Sequence, residues 1–238
     1  MKSFIKKLFE KSGIRLNFLK NLWYLDSFYL MRKICTNQKP FIFDVGACDG
    51  SSIAVFKKMF PGSFIYSFEP YPDSYKNLDT FSKNYSDVKI FQLALSHKND
   101  FMDFYVNKSK ATNSLLKPAL TNSFIDEHAI YEETIRVKTV TLDSFFREHA
   151  VPDIDILKLD VQGGELMVFK GADETLRNKK IKIIYTEIWF IEAYSGQPLY
   201  HDIAGHLSQY GYVPFGVYNI HYRKDGHFLW GDAIFYLK

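Results

Sequence analysis

The chain has 238 residues, of which 47% are hydrophobic, 24% charged and 17% aromatic, a composition typical of a folded domain of one large core rather than of a disordered chain. The formal net charge is +3. Six basic side chains and one acidic side chain lie in residues 1–20, so the remainder lacks the positive excess that a nucleic-acid-binding face usually carries, and no nucleic-acid partner is expected.

Residues 1–35 are predicted to form an N-terminal helical segment that precedes a single domain at 36–238. Phe4, Ile5, Leu8 and Phe9 recur at helical spacing with lysines between them, as in an amphipathic helix. One interpretation is a helix that packs on the domain or on another subunit. The other is a peripheral anchor on an anionic membrane surface, where basic side chains and apolar side chains both contribute to binding.

From Pro40 onward, short apolar runs alternate with polar helical stretches, which predicts an α/β domain around a mostly parallel sheet. The predicted strands of this region are 41–45, 63–68, 88–93, 154–159 and 181–186. The predicted helices are 51–60, 73–84, 142–148, 164–177 and 201–210.

The middle and the end of the chain depart from this alternation. Residues 101–106 and 135–140 alternate like exposed strands, and the polar stretch 108–122 is a candidate active-site lid. Gly211 is predicted to end the last helix as a left-handed cap. The final strands, 212–218 and 228–237, have no room for a helix between them and are therefore predicted to pair as an antiparallel hairpin.

A glycine-containing turn follows the first predicted strand. It reads Asp44-Val45-Gly46-Ala47-Cys48-Asp49-Gly50, and its small residues allow the backbone to approach a ligand closely. The second predicted strand ends in Glu69-Pro70, which places a carboxylate beside that turn. Such a carboxylate can accept hydrogen bonds from two vicinal ribose hydroxyls, because open parallel sheets bind ligands at this edge. A helix-capping role is the alternative for Glu69.

Four segments together carry a family resemblance: DVGACDG, FEPYPDSYKNL, VKTVTLDSFF and IDILKLDVQGGELMVFKGA. They resemble the FkbM family of S-adenosylmethionine-dependent methyltransferases over about residues 40–212. The most diagnostic part is KLDVQGGE, in which Lys158, Asp160, Gly163 and Glu165 match the family pattern. The resemblance implies a Rossmann-like class I methyltransferase fold with a mostly parallel seven-stranded sheet and a C-terminal antiparallel hairpin.

The resemblance also implies roles for individual residues toward S-adenosyl-L-methionine. Asp44, Gly46 and Gly50 would hold the methionine end, Glu69 the ribose, and Leu95 and Ser96 would flank the adenine. Ala47, Asp49, Ser51, Pro70 and Asp160 complete the predicted cofactor-binding set. Cys48 stands where the family usually has asparagine and Ile53 where threonine is frequent, and Cys48 is interpreted as a small neutral filler rather than a nucleophile.

The predicted catalytic residues are Asp160, Glu187 and His97. Asp160 and Glu187 end neighbouring strands, where they would place the acceptor, and His97 is the histidine best placed to act as a base. An acceptor hydroxyl must lose its proton, so methyl transfer to oxygen calls for positioning and a general base. Lys158 and Glu165 are predicted to form an ion pair that shapes the loop. A metal site built from Asp160, Glu187 and a histidine is disfavoured because no ligand spacing supports it, and none is predicted.

The predicted function is O-methylation of a sugar, a glycan or another hydroxylated small molecule, with Tyr71, Tyr194, Tyr200 and Trp189 available for stacking on sugar faces. One alternative is an RNA or protein acceptor, for which Lys108, Lys110 and Lys117 would form a basic cleft. A second is a nicotinamide-dependent enzyme, which the absence of G-x-G-x-x-G disfavours. A third is a binding module without activity that attaches through its N-terminal helix.

Two cysteines, Cys35 and Cys48, are too few for a disulfide framework and lack zinc-site spacing, which favours a reduced, cytoplasmic setting. The sequence contains neither the long apolar run of a membrane helix nor the apolar stretch of a signal peptide. The chain is therefore expected to be cytoplasmic, with peripheral attachment at the inner membrane surface as the alternative that the basic N-terminal segment leaves open.

Overall fold

A computed structural model describes residues 26–119 and 129–238. The helices are α1 (Ser27–Ile34), α2 (Ser51–Met59), α3 (Pro72–Ser82), α4 (Leu142–His149), α5 (Glu165–Lys170), α6 (Asp173–Arg177) and α7 (Tyr200–Ser208). The strands are β1 (Phe41–Val45), β2 (Phe64–Phe68), β3 (Val88–Phe91), β4 (Ala94–Leu95), β5 (Asp100–Asn107), β6 (Tyr131–Val140), β7 (Ile154–Leu159), β8 (Ile181–Trp189), β9 (Tyr212–Tyr222) and β10 (Phe228–Leu237). Of the predicted N-terminal helical segment 1–35, residues 1–25 lie outside the described residues and Ser27–Ile34 form α1.

Seven strands form the main sheet in the order β3-β2-β1-β7-β8-β10-β9. The first five run parallel, and β10 is antiparallel to both β8 and β9. This arrangement confirms the predicted mostly parallel seven-stranded sheet with a closing antiparallel hairpin. From β1 the chain adds β2 and β3 on one side of the sheet, and it later adds β7 and β8 on the other side of β1. Open α/β sheets bind their ligands in the crevice at the point where the strand order changes direction in this way.

Apolar side chains alternate between the two faces of this sheet and build a core on each. Ile42 and Ile156 pack with α1, α2 and α3 on one face, whereas Phe43 and Leu157 pack with α4, α5, α6 and α7 on the other. Every residue of β7 is buried, as expected for a strand covered on both faces. Each large apolar side chain contributes about 1.5–3 kcal/mol on burial, so these two cores fix the positions of the strand ends.

A second, three-stranded sheet in the order β4-β6-β5 was not predicted as a separate unit. The expected third strand, 88–93, ends at Phe91, and the chain then pairs through β4 with β6 instead. β5 and β6 pair antiparallel along most of their length, which confirms that the alternating runs at 101–106 and 135–140 are strands.

The predicted single helix 164–177 is wrong, because the chain forms α5 and α6 with a break at Gly171. A Cβ on Gly171 would lie 2.0 Å from the carbonyl oxygen of Ser96, so two backbones meet here. The side chain of Asp143 accepts hydrogen bonds from the backbone N–H groups of Glu174 and Thr175 and thereby caps the start of α6.

The C-terminal part follows its prediction closely. Gly211 has φ +88 after α7, the left-handed conformation expected of a residue that ends a helix. β8 continues three residues beyond the predicted end to Trp189, and β9 continues to Tyr222. None of the helices in the described parts of the chain is long and apolar enough to cross a membrane.

Candidate active site

The glycine turn after β1 has a backbone that only glycine can adopt at its first position. Gly46 has φ +78, and a Cβ there would lie 1.9 Å from the carbonyl oxygen of Asp160. The N–H groups of Gly46 and Ala47 both donate to the carbonyl oxygen of Phe68, at 3.0 and 3.1 Å. Gly50, with φ +87, precedes α2, and a Cβ there would lie 2.7 Å from Cδ1 of the Phe81 ring. The turn is therefore held against the ends of β2 and β7.

A cavity of about 480 Å³ opens above this turn, at the carboxyl ends of β1, β2 and β7. This volume lies within the usual range of small-molecule pockets, about 300–1,000 Å³. The predicted residues that line it are Gly46, Ala47, Asp49, Ser51, Glu69, Pro70, Leu95 and Asp160. Asp44 and Ser96 are fully buried and, with Gly50, support the lining residues.

Glu69 lies at one end of the cavity and is held by backbone donors. Its Oε2 accepts from the N–H of Cys48 at 3.0 Å, and its Oε1 accepts from the N–H of Tyr71 at 2.8 Å. Burial raises the pKa of Glu69 to about 7 despite these two hydrogen bonds. The carboxylate is therefore fixed in orientation, with lone pairs left for further donors.

Cys48 follows Ala47 in the turn, with φ +48. Burial raises the pKa of its thiol, and Glu69 and Asp49 raise it further. The thiol is therefore protonated and a poor nucleophile at neutral pH, in line with the interpretation of Cys48 as a neutral filler.

Lys158 connects the turn to the end of β7. Its Nζ lies 3.0 Å from Asp44 Oδ1, 3.0 Å from the carbonyl oxygen of Gly46 and 3.7 Å from Asp160 Oδ2. Burial opposes the charged form of Lys158, but Asp44 and then Asp160 outweigh it and raise its pKa. The predicted ion pair between Lys158 and Glu165 is wrong, because Glu165 Oε1 instead accepts the N–H of Val161 at 3.0 Å.

Asp160 and Glu187 are brought together by a residue that the sequence did not single out. Gln162 Nε2 donates to Asp160 Oδ1 at 3.0 Å and to Glu187 Oε2 at 2.9 Å. Trp189 Nε1 also donates to Glu187 Oε2, at 2.9 Å. Burial raises the pKa of Glu187 well above its usual value, and Asp160 and then Glu165 raise it further. Burial likewise raises the pKa of Glu165 to about 7.

His97 is not brought to this site. Its side chain is exposed, its Nδ1 lies 3.3 Å from Ser96 Oγ, and its Cα faces Gly171 at the break between α5 and α6. The prediction of His97 as a base placed it just past the third strand, and the turn of the chain into β4 takes it away from the cavity. In residues 26–119 and 129–238, no group of three His, Cys, Asp or Glu side chains is arranged to hold a metal ion.

The aromatic residues expected to stack on a sugar are occupied in packing. Tyr71, Tyr194 and Trp189 are buried, and the rings of Trp189 and Tyr194 meet edge to face with centroids 6.0 Å apart. Tyr200 packs with Phe190, at a centroid distance of 5.8 Å. The cavity is instead lined at one end by Phe28, Tyr185 and Asp232.

These three residues lie far apart in the sequence, on α1, β8 and β10. Tyr185 donates from its hydroxyl to Asp232 Oδ2 at 2.8 Å, and Phe28 meets the Tyr185 ring edge to face at 5.4 Å. No local sequence pattern marks Phe28 or Asp232 as a cavity residue. Only the pairing of β8 with β10 brings Asp232 to the cavity.

Part of the predicted lid also lines the cavity, through Lys110, Ala111, Asn113 and Leu115. Residues 110–112 form a 3₁₀ turn, and Ser114 forms an isolated antiparallel bridge with Tyr105. Residues 120–122 of the predicted lid lie outside the described residues.

The sheet order, the closing hairpin and a cavity at the strand-order reversal define a Rossmann-like class I methyltransferase fold. A crystal structure of methyltransferase FkbM from Methylobacillus flagellatus KT shares this fold with a TM-score of 0.53 and 13% identity, over 84% of this chain and 44% of that longer chain. The profile of the methyltransferase FkbM domain matches residues 44–214. The chain therefore belongs to the FkbM family of S-adenosylmethionine-dependent methyltransferases.

Two methyltransferases are similar in sequence to this chain. The 2-O-methyltransferase NoeI of Sinorhizobium fredii (strain NBRC 101917 / NGR234) is 29% identical over 167 residues, which are 66% of this chain and 67% of NoeI. The methyltransferase sdnD of Sordaria araneosa is 29% identical over 210 residues, which are 75% of this chain and 76% of sdnD.

The residues at the cavity fit the methyl donor that the family uses. The close approach of Gly46 and Asp160 leaves no side chain over the turn, and Glu69 presents an ordered carboxylate to the cavity. Leu95, Phe104 and Leu115 supply apolar lining, which suits a flat aromatic base. The cavity therefore offers both the polar and the apolar groups that an adenosine requires.

Proposed function

We propose that this chain is an O-methyltransferase acting on a hydroxyl group of a sugar, a glycan or another hydroxylated small molecule. The observation that carries the proposal is the placement of the Asp160 carboxylate in the cavity, beside the glycine turn and linked to Glu187 through Gln162. A relative named for 2-O-methyl transfer supports an oxygen acceptor.

The residues predicted to bind the cofactor keep that role here, except Asp160, which is assigned to the acceptor hydroxyl. Glu69 would accept hydrogen bonds from the ribose hydroxyls, while Pro70 and Leu95, with Ser96 behind them, would lie along the adenine. Ala47, Asp49 and Ser51 would contact the methionine end, with Asp44, Gly46 and Gly50 fixing the shape of the turn. Bound S-adenosylmethionine supplies an electrophilic methyl group on a sulfonium.

Asp160 acts as the general base that takes the proton of the acceptor hydroxyl. Its side chain is 46% exposed, so an acceptor hydroxyl in the cavity can donate to it. The hydroxyl oxygen would form its bond to the methyl carbon as the carbon–sulfur bond breaks and S-adenosylhomocysteine leaves. The O–H proton would then be strongly acidic, so that a weak base suffices to take it. The carboxylate of Asp160 receives that proton. Gln162 and Lys158 hold the carboxylate in position for the transfer.

The test is methyl transfer from S-adenosylmethionine with a deuterated methyl group to a panel of methyl glycosides and polyols. Mass spectrometry should detect one added labelled methyl group on oxygen. Each active glycoside is paired with its deoxy analogue, which should receive no label at the missing hydroxyl. Transfer only to RNA or protein, or only to nitrogen, would overturn the proposal. The nicotinamide alternative has no support once the family is assigned.

A further inference from the structure

The loop that connects β7 to α5 has two consecutive residues in the left-handed region, Gln162 with φ +54 and Gly163 with φ +89. For a residue other than glycine this conformation is uncommon and unfavourable. Such a conformation persists only where the surroundings hold it. At Gln162 both the backbone and the side chain are held by hydrogen bonds.

The amide of Gln162 uses all of its hydrogen-bonding groups in one orientation. Both carboxylates, Asp160 and Glu187, accept from Nε2, and Oε1 accepts from the hydroxyl of Tyr194 at 2.8 Å. The opposite orientation would place the amide oxygen against the Asp160 carboxylate and against Glu187 Oε2, an oxygen that already accepts from Trp189. It would also leave the Tyr194 hydroxyl facing an NH₂ group. The network therefore assigns the orientation of this amide.

The same loop holds residues 108–119, called the lid here, over the cavity. Ser114 Oγ donates to the backbone oxygen of Gln162 at 2.7 Å. The single hydroxyl hydrogen of Tyr194 is shared between Gln162 Oε1 and the backbone oxygen of Thr112, which lies at 3.1 Å. Gly163 also lies close to the lid, because a Cβ added there would lie 3.4 Å from Cδ1 of Leu116.

The base of the lid is fixed independently of Gln162. The N–H of Ala119 donates to the backbone oxygen of Ala193 at 3.0 Å, and the N–H of Ser195 donates to that of Lys117 at 2.8 Å. Residues 110–116 lie between this base and β5, with which they pair through Ser114 and Tyr105. Release of the contacts with Gln162 and Tyr194 would loosen the side of this span that faces the cavity, while the base and the pairing with β5 stay in place.

We infer that Gln162 and Tyr194 are positioning residues that couple closure of the lid over the cofactor cavity to the orientation of Asp160 and Glu187. The lid contacts the Tyr194 hydroxyl through the backbone oxygen of Thr112 and the Gln162 backbone through Ser114 Oγ, and in this same arrangement the amide hydrogens of Gln162 hold Asp160 and Glu187. The inference rests on the proposed function for what the two carboxylates do. The closure itself is independent of it.

Replacing Gln162 by glutamate converts the coupling into a dependence on pH. The titratable and charged groups that face this position from its own loop and from the neighbouring elements are Lys158, Asp160, Glu165, Glu187, Tyr194 and Asp232. In its neutral form, the introduced carboxyl group can still accept from Tyr194 and donate to one carboxylate. In its ionised form, it is repelled by the Asp160 carboxylate, and by Glu187 wherever that group is ionised too. Closure is therefore present below the pKa of the introduced carboxyl group and is lost as the pH rises through it.

The experiment measures amide hydrogen exchange of residues 110–116 in the free protein and with bound S-adenosylhomocysteine, the product of methyl transfer. Tyr194→Phe and Gln162→Met should each speed exchange and ligand dissociation about five- to tenfold, the size expected for one lost hydrogen bond. Their double variant should show less than the product of the two effects. Exchange at residues 110–116 in Gln162→Glu should be as slow as in the wild type near about pH 5. Near about pH 8 it should be as fast as in Gln162→Met.

Tyr210→Phe is the matched control, because it removes a hydroxyl that donates to Asp173 away from the cavity. If Tyr194→Phe and Gln162→Met leave exchange at 110–116 no faster than this control does, the inference is wrong. The inference is also wrong if the exchange rate of Gln162→Glu, relative to that of the wild type at the same pH, does not change between about pH 5 and about pH 8. Failure of S-adenosylhomocysteine to bind the wild type would count against the proposed function instead, because exchange in the free protein still reports closure.

Discussion

The two ends of the cavity are built in different ways. At the ends of β1 and β2, the backbone does most of the holding, since Gly46 and Ala47 donate to Phe68 and the N–H groups of Cys48 and Tyr71 hold Glu69. We call this the backbone-held end. At the ends of β7 and β8, side chains hold side chains through Asp160, Gln162, Glu187 and Tyr194, and we call this the side-chain-held end.

The difference predicts how each end fails. The backbone-held end tolerates many side-chain changes but depends on glycines whose backbone no other residue can reproduce. The side-chain-held end has no such backbone requirement at Asp160 or Glu187, yet each of its side chains contributes a specific hydrogen bond. Substitutions at the first end should therefore cost folding and cofactor binding, and substitution of the Asp160 carboxylate at the second end should cost turnover.

Gly46→Ala tests the backbone-held end and should have the largest effect. The added methyl group would lie 1.9 Å from the carbonyl oxygen of Asp160 at φ +78, so the turn or β7 must move. We expect a loss of more than about 5 kcal/mol of unfolding free energy, or no folded protein, and no detectable binding of S-adenosylhomocysteine. Urea unfolding and calorimetric titration are the measurements.

Gly196→Ala is the control for this substitution. Gly196 has a similar φ of +71, but nothing lies within 4 Å of the added methyl group. It should show only the conformational strain, about 1 kcal/mol. Equal losses at the two glycines would mean that the close approach to Asp160 contributes nothing.

Lys158→Met tests the connection between the two ends. Removal of the ammonium leaves the carboxylate of Asp44, which is fully buried, without its ion pair at 3.0 Å. Such a loss costs about 3–5 kcal/mol. Urea unfolding measures it, with Lys180→Met as the control because Lys180 pairs with Asp153 at the surface and should lose less than about 1 kcal/mol. A Lys158→Met protein as stable as the control would show that Asp44 is accommodated without the cation.

The sequence predicts the backbone-held end well because its determinants are local. Gly46, Gly50 and Glu69 stand at the ends of adjacent strands, and periodicity alone places those strands within a residue of where the structure has them. The cores on both faces follow from the same alternation, since Ile42 and Phe43 face opposite sides of β1. Contacts to the cofactor remain a prediction.

The side-chain-held end was predicted only in part because its contacts are long-range. The hydrogen bonds from Gln162 to Glu187 and from Tyr194 to Gln162 span 25 and 32 residues. Asp232 reaches the cavity through strand pairing, and the break at Gly171 arises from the approach of Ser96. No local sequence pattern encodes these long-range contacts. His97 was placed wrongly for the same reason, because the turn of the chain into β4 depends on the pairing of β4 with β6.

Asp160→Asn tests the side-chain-held end while leaving its hydrogen bonds in place, because the asparagine oxygen can still accept from Gln162. We expect the turnover number to fall about 10²- to 10⁴-fold through loss of the base, while affinity for S-adenosylhomocysteine changes about twofold or less. Initial rates with an active acceptor and calorimetric titration measure the two. Asp153→Asn, in an exposed ion pair, is the control. Unchanged turnover in Asp160→Asn would remove Asp160 from the proton transfer.

Glu69→Gln should produce the smallest change and one with a distinctive pH dependence. The pKa of Glu69 in the protein is about 7, and ribose hydroxyls donate to its ionised form, so binding is favoured above this pKa and weakened as the pH falls through it. Affinity of the wild type for S-adenosylhomocysteine should therefore rise about tenfold from about pH 6 to about pH 8. In Glu69→Gln it should be about tenfold weaker at the higher pH and independent of pH.

Glu174→Gln is the control for this profile, because Glu174 lies in an exposed pair with Arg147 and its substitution should keep the slope of the wild type. The pKa values of Glu165 and Glu187 are also raised by burial, so either end of the cavity could supply the group whose titration changes the affinity. The pH profile of Glu69→Gln shows which end does. If Glu69→Gln keeps the slope, the titrating group belongs to the side-chain-held end, and cofactor affinity is then set by the carboxylates around Gln162 rather than by the ribose contact.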